Sequence, residues 1–250
     1  MEKTEKQERR FGLVGRNIAY SFSRGYFKEK FLKLGVERHY YDNFDLEDIS
    51  HITKVIAENS NLVGLNVTIP YKEDIIPYLK SLDPVAKAIG AVNTIRVTPE
   101  GLLGYNTDAY GFEQAIIPFL KPHHQQALIL GTGGASKAVA YVLKKLEIKY
   151  RYVSRKPGPD QLNYEDLDEK TITSHPVIIN CTPLGTWPDT LAKPGIPYSF
   201  LSSKHLLFDL IYNPEKTSFL KEGEKKGAAI ANGAKMLVFQ ADKSWQIWNS

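Results

Sequence analysis

Hydrophobic and polar positions along the first hundred residues alternate between strand-like and helix-like patterns. The pattern predicts strands at residues 11–15, 38–43 and 62–69, with helices at residues 26–34 and 49–57 between them. Residues 91–97 and 102–105 flank the turn sequence TPEG and predict a hairpin. This part of the chain therefore reads as alternating strands and helices, with one antiparallel pair late.

The second half begins with a short apolar strand that runs directly into glycines. Residues 127–130 precede Gly131-Thr132-Gly133-Gly134-Ala135, and helical spacing follows over residues 137–146. Further apolar strands are predicted at residues 150–154, 176–181, 206–212 and 228–230. Their spacing suits crossover helices, which predicts a doubly wound parallel sheet. The aromatic residues of a last helix, residues 236–248, indicate that it docks against another element.

Composition narrows the class of protein. The 250 residues carry a net charge of +4, a mild bias towards acidic or phosphorylated ligands and far from that of a dedicated nucleic-acid binder. Cys181 is the only cysteine, which excludes a disulfide framework and a thiolate zinc cluster, and the six histidines show no metal-ligand spacing. His123 and His124 read as a solvated loop. The charged start MEKTEKQERR and the lack of a long apolar run predict a cytoplasmic protein with no membrane span.

The glycine loop predicts a dinucleotide site. A strand, Gly131-x-Gly133 and a helix form the geometry that holds a pyrophosphate at a helix N-terminus. Ser136 stands where the third glycine of the usual fingerprint would be, so an ordinary strand-to-helix turn is the alternative.

The end of the following strand bears on which dinucleotide binds. An NAD site usually has an acidic residue there, whereas this chain reads Ser154-Arg155-Lys156, with no acid until Asp160. Arginine and lysine attract a 2′-phosphate, so the sequence favours NADP(H) over NAD. A solvated basic loop is the alternative, chiefly for Lys156.

Lys72 and Asp108 are the candidates for proton transfer. Lys72 follows Pro70 at a predicted strand end, in the first turn of a predicted helix, where a cation opposes the helix dipole unless a carboxylate compensates. Asp108 lies at the start of a helix predicted over residues 109–120, where an N-cap role would also explain it. A lysine–aspartate pair can perform general acid–base catalysis at a carbonyl group.

A series of short blocks along nearly the whole chain, from Phe11 onward, resembles the shikimate dehydrogenase family. The blocks occur in the family's order: Ser21-Phe22-Ser23, NVTIPYK at residues 66–72, GAVNT at 90–94, Asn106-Thr107-Asp108, the glycine loop, Ser154-Arg155, NCTP at 180–183, DLIYNP at 209–214, and Asn232-Gly233 with Met236, Leu237 and Gln240.

The resemblance implies NADPH-dependent reduction of 3-dehydroshikimate to shikimate, a step of aromatic amino-acid biosynthesis, by an oxidoreductase. It implies that Lys72 and Asp108 form the acid–base pair. The implied substrate ligands are Ser21, Ser23 and Tyr212 for the carboxylate, and Thr68, Asn93, Asp108 and Gln240 for the ring hydroxyls. The implied cofactor ligands are Gly131, Gly133, Gly134 and Ala135 at the pyrophosphate, Ser154, Arg155 and Lys156 at the adenosine phosphate, and Thr182 and Gly233 near the nicotinamide.

The chain departs from the family pattern at a few positions. Arg24 stands where a proline is common, Tyr20 where a histidine is common, and Lys235 where a glycine is frequent. The usual Asn-Arg-Thr is replaced by Ser154-Arg155-Lys156. Ser21 and Ser23 can also be explained as a polar loop, Tyr212 as a core residue and Cys181 as a packed residue.

These observations predict an α/β protein with two domains and an active site in the cleft between them. An N-terminal substrate domain spans residues 1–107, completed by the helix at 234–250, and a Rossmann-type NADP domain spans residues 108–233. Binding of a small-molecule substrate as a monomer or homodimer is expected. A quinate/shikimate dehydrogenase using NAD(P) and a non-catalytic NADPH-binding regulatory module stay open, whereas the serine pair and the Asn-Thr-Asp block disfavour a folate-type dehydrogenase.

Overall fold

The computed structural model describes residues 8–19 and 21–250. The chain folds into two compact units, one formed by the residues up to Thr107 together with Ala241–Ser250, and one formed by Asp108–Gln240. The chain thus divides between Thr107 and Asp108, and the last helix contributes residues to both units. The functional assignment of each unit stays a prediction at this point.

The first unit is built on a mixed sheet. Its strands are β1 (Arg9–Gly15), β2 (His39–Asp45), β3 (Leu62–Val67), β4 (Ser81–Leu82), β5 (Thr94–Thr98) and β6 (Gly101–Tyr105), in the order β2-β1-β3-β5-β6-β4. Its helices are α1 (Phe22–Leu34), α2 (Ile52–Glu58) and α3 (Pro84–Ile89). Strand β1 runs parallel to β2 and β3, whereas β5 runs antiparallel to both β3 and β6. The predicted hairpin is confirmed, and a second antiparallel pairing joins it to β3.

The second unit carries an entirely parallel sheet. Its elements are α4 (Thr107–Ile116, from the unit boundary), β7 (Gln126–Leu130), α5 (Gly134–Lys145), β8 (Lys149–Val153), α6 (Glu169–Ser174), β9 (Val177–Asn180), β10 (Leu206–Asp209), α7 (Ser218–Lys225) and β11 (Ala229–Ala231). The strand order is β11-β10-β9-β7-β8, with every pair parallel. The order reverses between β7 and β9, which places the loops after these two strands at the switch point where such sheets bind ligands. The predicted Rossmann-type sheet is confirmed.

The last helix, α8 (Ala234–Trp248), docks its C-terminal part in the first unit. Trp248 is buried with its ring against Phe11 and Phe27, and its indole Nε1 donates to the carbonyl of Ile95 at 2.9 Å. A Cβ atom on Gly64 would lie 2.2 Å from the Trp248 ring, so this strand position has room only for glycine. The predicted docking of this helix is confirmed.

The structure corrects the sequence-based prediction around Pro70. Strand β3 ends at Val67 rather than at residue 69, and residues 69–75 form turns rather than a helix. Ile69, the last residue of the predicted strand, is 76% exposed. The dipole argument for Lys72 is therefore wrong, because that residue lies in no α-helix.

Two further local predictions are wrong. Helix α1 begins at Phe22, within the stretch predicted as a polar loop, because the Ser21 hydroxyl caps it by accepting from the Ser23 amide at 3.1 Å. His124, expected to be solvated, is only 4% exposed, and its Nδ1 accepts from the Lys121 amide. Burial lowers the pKa of His124.

Candidate functional site

The segment after β3 holds Thr68 and Lys72 by backbone contacts. The Thr68 amide donates to the Val14 carbonyl at 2.9 Å, and the Lys72 carbonyl accepts from the Val92 amide at 2.7 Å. Tyr71, between them, is buried and its hydroxyl donates to the Leu46 carbonyl at 2.7 Å. The half-buried Lys72 is thus anchored to the end of the strand by its own main chain.

Other predicted substrate ligands of the first unit lie at element ends. Ser21 is the N-cap of α1 and Ser23 lies in its first turn, both half-buried. Asn93 immediately precedes β5 and is buried, and its side-chain oxygen accepts from the Thr107 amide at 2.7 Å. The capping role of Ser21 is by itself a sufficient structural reason for a serine at this position, with or without a ligand.

Asp108 is buried in the first turn of α4, directly after Thr107. Because the helix already begins at Thr107, the alternative role of Asp108 as an N-cap does not hold. A carboxylate in the first turn of a helix interacts favourably with the helix dipole, which suits an acidic side chain at this position.

The glycine loop of the second unit has the geometry of an anion site. Gly131 adopts a φ of +97°, which favours glycine, and a Cβ atom there would lie 3.1 Å from Thr182. Gly133 is the N-cap of α5, and no side chain caps that helix. The first N–H groups of a helix have no acceptor within it, so those at Gly134 and Ala135 are available to a phosphate.

Gly133 differs from Gly131 in a telling way. A Cβ atom added at Gly133 would meet nothing within 4 Å, and its backbone φ of −75° is open to any residue. Neither folding nor packing therefore requires glycine at this position. Open space above the unmodified backbone at a helix N-terminus fits the approach of a pyrophosphate, so the residues present fit a dinucleotide. Ser136, in place of the third glycine, is buried and its hydroxyl donates to the Gly133 carbonyl at 2.6 Å.

The basic segment after β8 is held as a tight turn. The Ser154 hydroxyl accepts from the Lys156 amide at 3.2 Å, and the Ser154 amide donates to the Leu162 carbonyl. Arg155 and Lys156 are both exposed. The turn follows β8, which pairs with the strand β7 that leads into the glycine loop. It thus presents two cations, Arg155 and Lys156, and no acidic residue stands at this strand end.

Thr182, at the other side of the switch point, belongs to a buried polar group. Its hydroxyl donates to Asn180 Oδ1 at 2.7 Å, and Asn180 Nδ2 donates to Asp209 at 3.0 Å. Asp209 also accepts from the Thr217 hydroxyl at 2.6 Å. Burial raises the pKa of Asp209 to about 6, while these hydrogen bonds act in the opposite direction. Burial likewise raises the pKa of the Cys181 thiol, which opposes a thiolate role.

The remaining predicted residues follow β10 and β11. Tyr212 is partly exposed, and Gly233 packs so closely that a Cβ atom would lie 2.1 Å from the Leu210 carbonyl oxygen. Gly233 is therefore required by packing whether or not a nicotinamide lies near it. Gln240 is buried in α8, and its Nε2 donates to the Leu237 carbonyl at 3.0 Å. It is therefore not a surface residue, although a glutamine on a helix usually is.

Two of the departures from the family pattern, Arg24 and Lys235, are exposed. Arg24 is exposed in the first turn of α1. Lys235 is exposed in the first turn of α8 and lines a groove of about 440 Å³ in the second unit with Lys216 and Asn232. Tyr20 lies outside the described residues.

Sequence reasoning missed a group of four hydrogen-bonded, buried polar residues in the first unit, three of which also bond Asn93. Asn66, Thr94, Thr107 and Ser244 are all buried and bonded to one another. Asn66 and Thr94 belong to the blocks NVTIPYK and GAVNT, but no role was predicted for either residue. The available signal for their burial was a polar residue next to apolar strand positions. Ser244 lies on the docked helix, where the sequence carried no signal for it.

Together, the parallel sheet and the open glycine loop at its switch point define the class of Rossmann-type α/β proteins. Residues 13–95 match the family described as "Shikimate dehydrogenase substrate binding domain". The chain is 36% identical to the shikimate dehydrogenase (NADP(+)) of Clostridium botulinum strain Hall, over 95% of each chain. The chain belongs to the shikimate dehydrogenase family.

Solved structures agree with this family. Shikimate dehydrogenase 1 from Peptoclostridium difficile superposes with a TM-score of 0.84 at 38% identity, covering 96% of this chain and 92% of that one. Shikimate 5-dehydrogenase from Thermus thermophilus, solved with NADP(H) and shikimate, superposes with a TM-score of 0.85 at 29% identity, covering 96% and 93%. In the described part of the chain, no helix combines the length and apolarity needed to cross a membrane, and no group of three or more His, Cys, Asp or Glu side chains is placed to hold a metal ion.

Proposed function

We propose that this chain catalyses the reversible, NADPH-dependent reduction of 3-dehydroshikimate to shikimate. The observation that carries the proposal is the 36% identity over 95% of the chain to a shikimate dehydrogenase (NADP(+)). The presence of Lys72 and Asp108, and of an arginine rather than an acid after the second Rossmann strand, supports the same reaction. The substrate is a small polyol acid, which needs several fixed hydrogen bonds for its orientation.

The substrate ligands follow from the chemistry of that acid. Ser21, Ser23 and Tyr212 supply hydroxyl donors for the carboxylate, and Thr68, Asn93 and Gln240 supply the hydrogen bonds to the ring hydroxyls. Fixing these groups lowers the entropic part of the barrier by holding the ring ketone in one orientation.

Lys72 and Asp108 handle the proton. In the direction of reduction, the Lys72 ammonium gives a proton from Nζ to the ketone oxygen as that oxygen becomes a hydroxyl. Asp108 orients the Lys72 ammonium and hydrogen-bonds the neighbouring ring hydroxyl. In the direction of oxidation, the neutral Lys72 amine takes the proton back.

The second unit holds the cofactor. The backbone at Gly131, Gly133, Gly134 and Ala135 binds the pyrophosphate, Ser154, Arg155 and Lys156 bind the adenosine 2′-phosphate, and Thr182 and Gly233 border the nicotinamide half. When bound, NADPH supplies the hydride. The open space at Gly133 is the feature of this chain that favours such binding.

The test is oxidation of shikimate by the purified protein with NADP or NAD, followed by nicotinamide absorbance, with quinate as a second substrate. We expect turnover of shikimate with NADP, and a loss of about 10³-fold in kcat for Lys72→Ala. Lys87→Ala, at an exposed lysine of α3, is the matched control and should keep full activity. Binding of NADPH without turnover of either acid would reject the proposal in favour of a regulatory module, whereas preferred turnover of quinate with NAD would favour the relaxed enzyme.

Compartment and assembly are part of the proposal. A single cysteine and a reduced nicotinamide cofactor suit a reducing compartment, so we place the protein in the cytoplasm. We expect it to act as a monomer or homodimer on a small molecule and without nucleic acid, which light scattering after size exclusion and a DNA-binding assay would check.

A further inference from the structure

A cluster of buried polar side chains lies beneath Asn93 in the first unit. Four elements that are far apart in the chain contribute to it: Asn66 from β3, Thr94 from β5, Thr107 from the start of α4 and Ser244 from α8. The Ser244 hydroxyl lies 2.8 Å from that of Thr94, 3.2 Å from that of Thr107 and 2.9 Å from Asn66 Nδ2. We call these four residues the polar hub. Each is at most 5% exposed.

The orientation of Asn66 in the hub is determined by its partners. Its Nδ2 lies 3.3 Å from the carbonyl of Asn93, and a carbonyl only accepts, so the amide nitrogen must face that side. Its Oδ1 then faces the Tyr41 hydroxyl, which donates to it at 2.8 Å.

The same argument determines the orientation of Asn93. The Thr107 amide lies 2.7 Å from the side-chain oxygen of Asn93, and an amide N–H only donates. The hydroxyls of Thr107 and Thr94 lie 3.1 and 3.2 Å from the same oxygen. The hub therefore engages the oxygen of Asn93, so any hydrogen bond that the side chain of Asn93 donates to a ligand must come from Nδ2.

Because the hub is buried, it destabilises the folded state unless each of its polar groups is hydrogen-bonded. A buried hydroxyl or amide without a partner is strongly unfavourable, and an apolar cluster would fill the same space without that risk. The stability of the unit alone therefore gives little reason for polar residues at four converging positions. What the hub positions is therefore the informative feature. Its hydrogen bonds hold Asn93, and one of its members, Thr107, directly precedes Asp108.

We propose that Ser244 and Asn66 are positioning residues, which hold the Asn93 amide with its nitrogen towards a ring hydroxyl of the substrate and hold the first turn of α4 that carries Asp108. This inference rests on the proposed function for the identity of the ligand. It extends that function by making the C-terminal helix, through Ser244, a determinant of substrate orientation. The substrate hydroxyl then acts as the acceptor of the Asn93 hydrogen bond.

The principal test compares Ser244→Ala with Tyr26→Phe. Both variants delete one hydroxyl that ties α8 to the rest of the first unit, since the Tyr26 hydroxyl donates to Asp242 at 2.6 Å. Only Ser244 reaches the hub. We expect Ser244→Ala to raise KM for shikimate about tenfold and to lower kcat, with KM for NADP unchanged, whereas Tyr26→Phe leaves all three parameters unchanged.

A second readout does not depend on turnover. The Thr107 amide is held by Asn93 Oδ1, so its hydrogen exchange measured by NMR reports whether the hub positions Asn93. We expect the Thr107 amide to exchange faster in Ser244→Ala than in Tyr26→Phe. Each variant is measured at the same number of degrees below its own melting temperature. Thr94→Val, which removes a hub hydroxyl at nearly constant volume, should behave like Ser244→Ala, and Thr94→Ser, which keeps it, should restore the wild-type values.

The outcomes separate this inference from the function on which it rests. Equal kinetic constants and equal Thr107 exchange in Ser244→Ala and Tyr26→Phe would overturn the positioning role even if the wild type oxidises shikimate. If the wild type does not turn over shikimate, the proposed function fails, and the exchange rates alone decide whether the hub positions Asn93.

Discussion

At the scale of single residues, glycine stands at different positions of the candidate sites for different physical reasons. Gly131 needs its positive φ, and Gly233 is enclosed by the Leu210 carbonyl, so both are required for folding. Gly133 has neither constraint, which makes it the position where a ligand is the best remaining explanation. A glycine motif in a sequence mixes these causes, and only the surrounding atoms separate them.

Gly133→Ala should therefore weaken cofactor binding without weakening the fold. The added methyl group meets no protein atom but occupies space next to the phosphate-binding N–H groups. We expect the Kd for NADPH to rise at least about tenfold and the melting temperature to change by no more than about 2 °C. Gly195→Ala, at another exposed glycine with nothing within 4 Å, is the control and should change neither value. Unaltered NADPH binding in Gly133→Ala would remove the main support for the phosphate site.

Arg155 should determine the preference for NADP over NAD. A charge-assisted hydrogen bond to a phosphate contributes about 1.5–3 kcal/mol, so Arg155→Ala should raise KM for NADP by about 10- to 100-fold. KM for NAD, which lacks the phosphate, should stay nearly constant. Arg151→Ala removes the same charge from an exposed position on β8 and serves as the control. An equal rise in both KM values would mean that Arg155 does not read the 2′-phosphate.

At the scale of elements, most strands and helices follow from local pattern, and the errors occur at their ends. Strand β3 was predicted two residues too long because Ile69 continues the alternation of apolar residues after the ladder has ended. The start of α1 was missed because the capping serine and the helix it begins read as a polar loop. Periodicity reports the interior of an element, whereas the ends depend on caps and on neighbouring strands.

Helix α8 shows how a single side chain can anchor an element. Trp248 fills space over Gly64 and between Phe11 and Phe27. Trp248→Ala should lower the free energy of unfolding by about 3–5 kcal/mol, since it opens a large cavity and leaves the Ile95 carbonyl without its indole donor. Urea denaturation followed by circular dichroism measures this loss. Trp187→Ala, at a side chain that is 70% exposed, should change the stability by less than about 0.5 kcal/mol, and a similar loss in both variants would contradict the anchoring role.

At the scale of the whole molecule, Asp209 makes stability depend on pH. Burial raises its pKa from 3.8 to about 6 in the folded protein, so between these values the folded chain keeps a proton that the unfolded chain has released. Stability from this group is fully present below pH 3.8 and is lost as the pH rises through 6. The loss amounts to about 3 kcal/mol.

Asp209→Asn should remove this dependence. Relative to the variant, the wild type should lose stability steadily as the pH rises from 3.8 to about 6, as measured by urea denaturation at each pH. Asp168 provides a control of opposite sign, because hydrogen bonds from Thr171 lower its pKa. Asp168→Asn should therefore remove stability that the wild type gains as the pH rises. Parallel pH profiles of the wild type and Asp209→Asn would show that the Asp209 carboxyl is not desolvated.

The candidate site was predictable to a limited extent. Lys72, Asp108 and the glycine loop stand in motifs that the sequence displays directly, and their chemistry can be argued from residue type. The hub residues could not be found in this way, since buried polar residues are recognised by their partners, and Asn66 and Ser244 are 178 positions apart. Likewise, neither the burial of His124 nor the close packing at Gly233 leaves a local signature.

The sequence by itself determined the alternation of strands and helices, the parallel sheet of the second unit and the strand–glycine–helix unit, because these depend on side-chain periodicity and backbone freedom within a few residues. Only the tertiary structure decided that Asn66, Thr94, Thr107 and Ser244 form one hydrogen-bonded cluster next to Asn93. That convergence depends on the docking of α8 in the first unit, which brings the end of the chain against strands formed near its beginning. Long-range packing sets such contacts, and no local pattern encodes them.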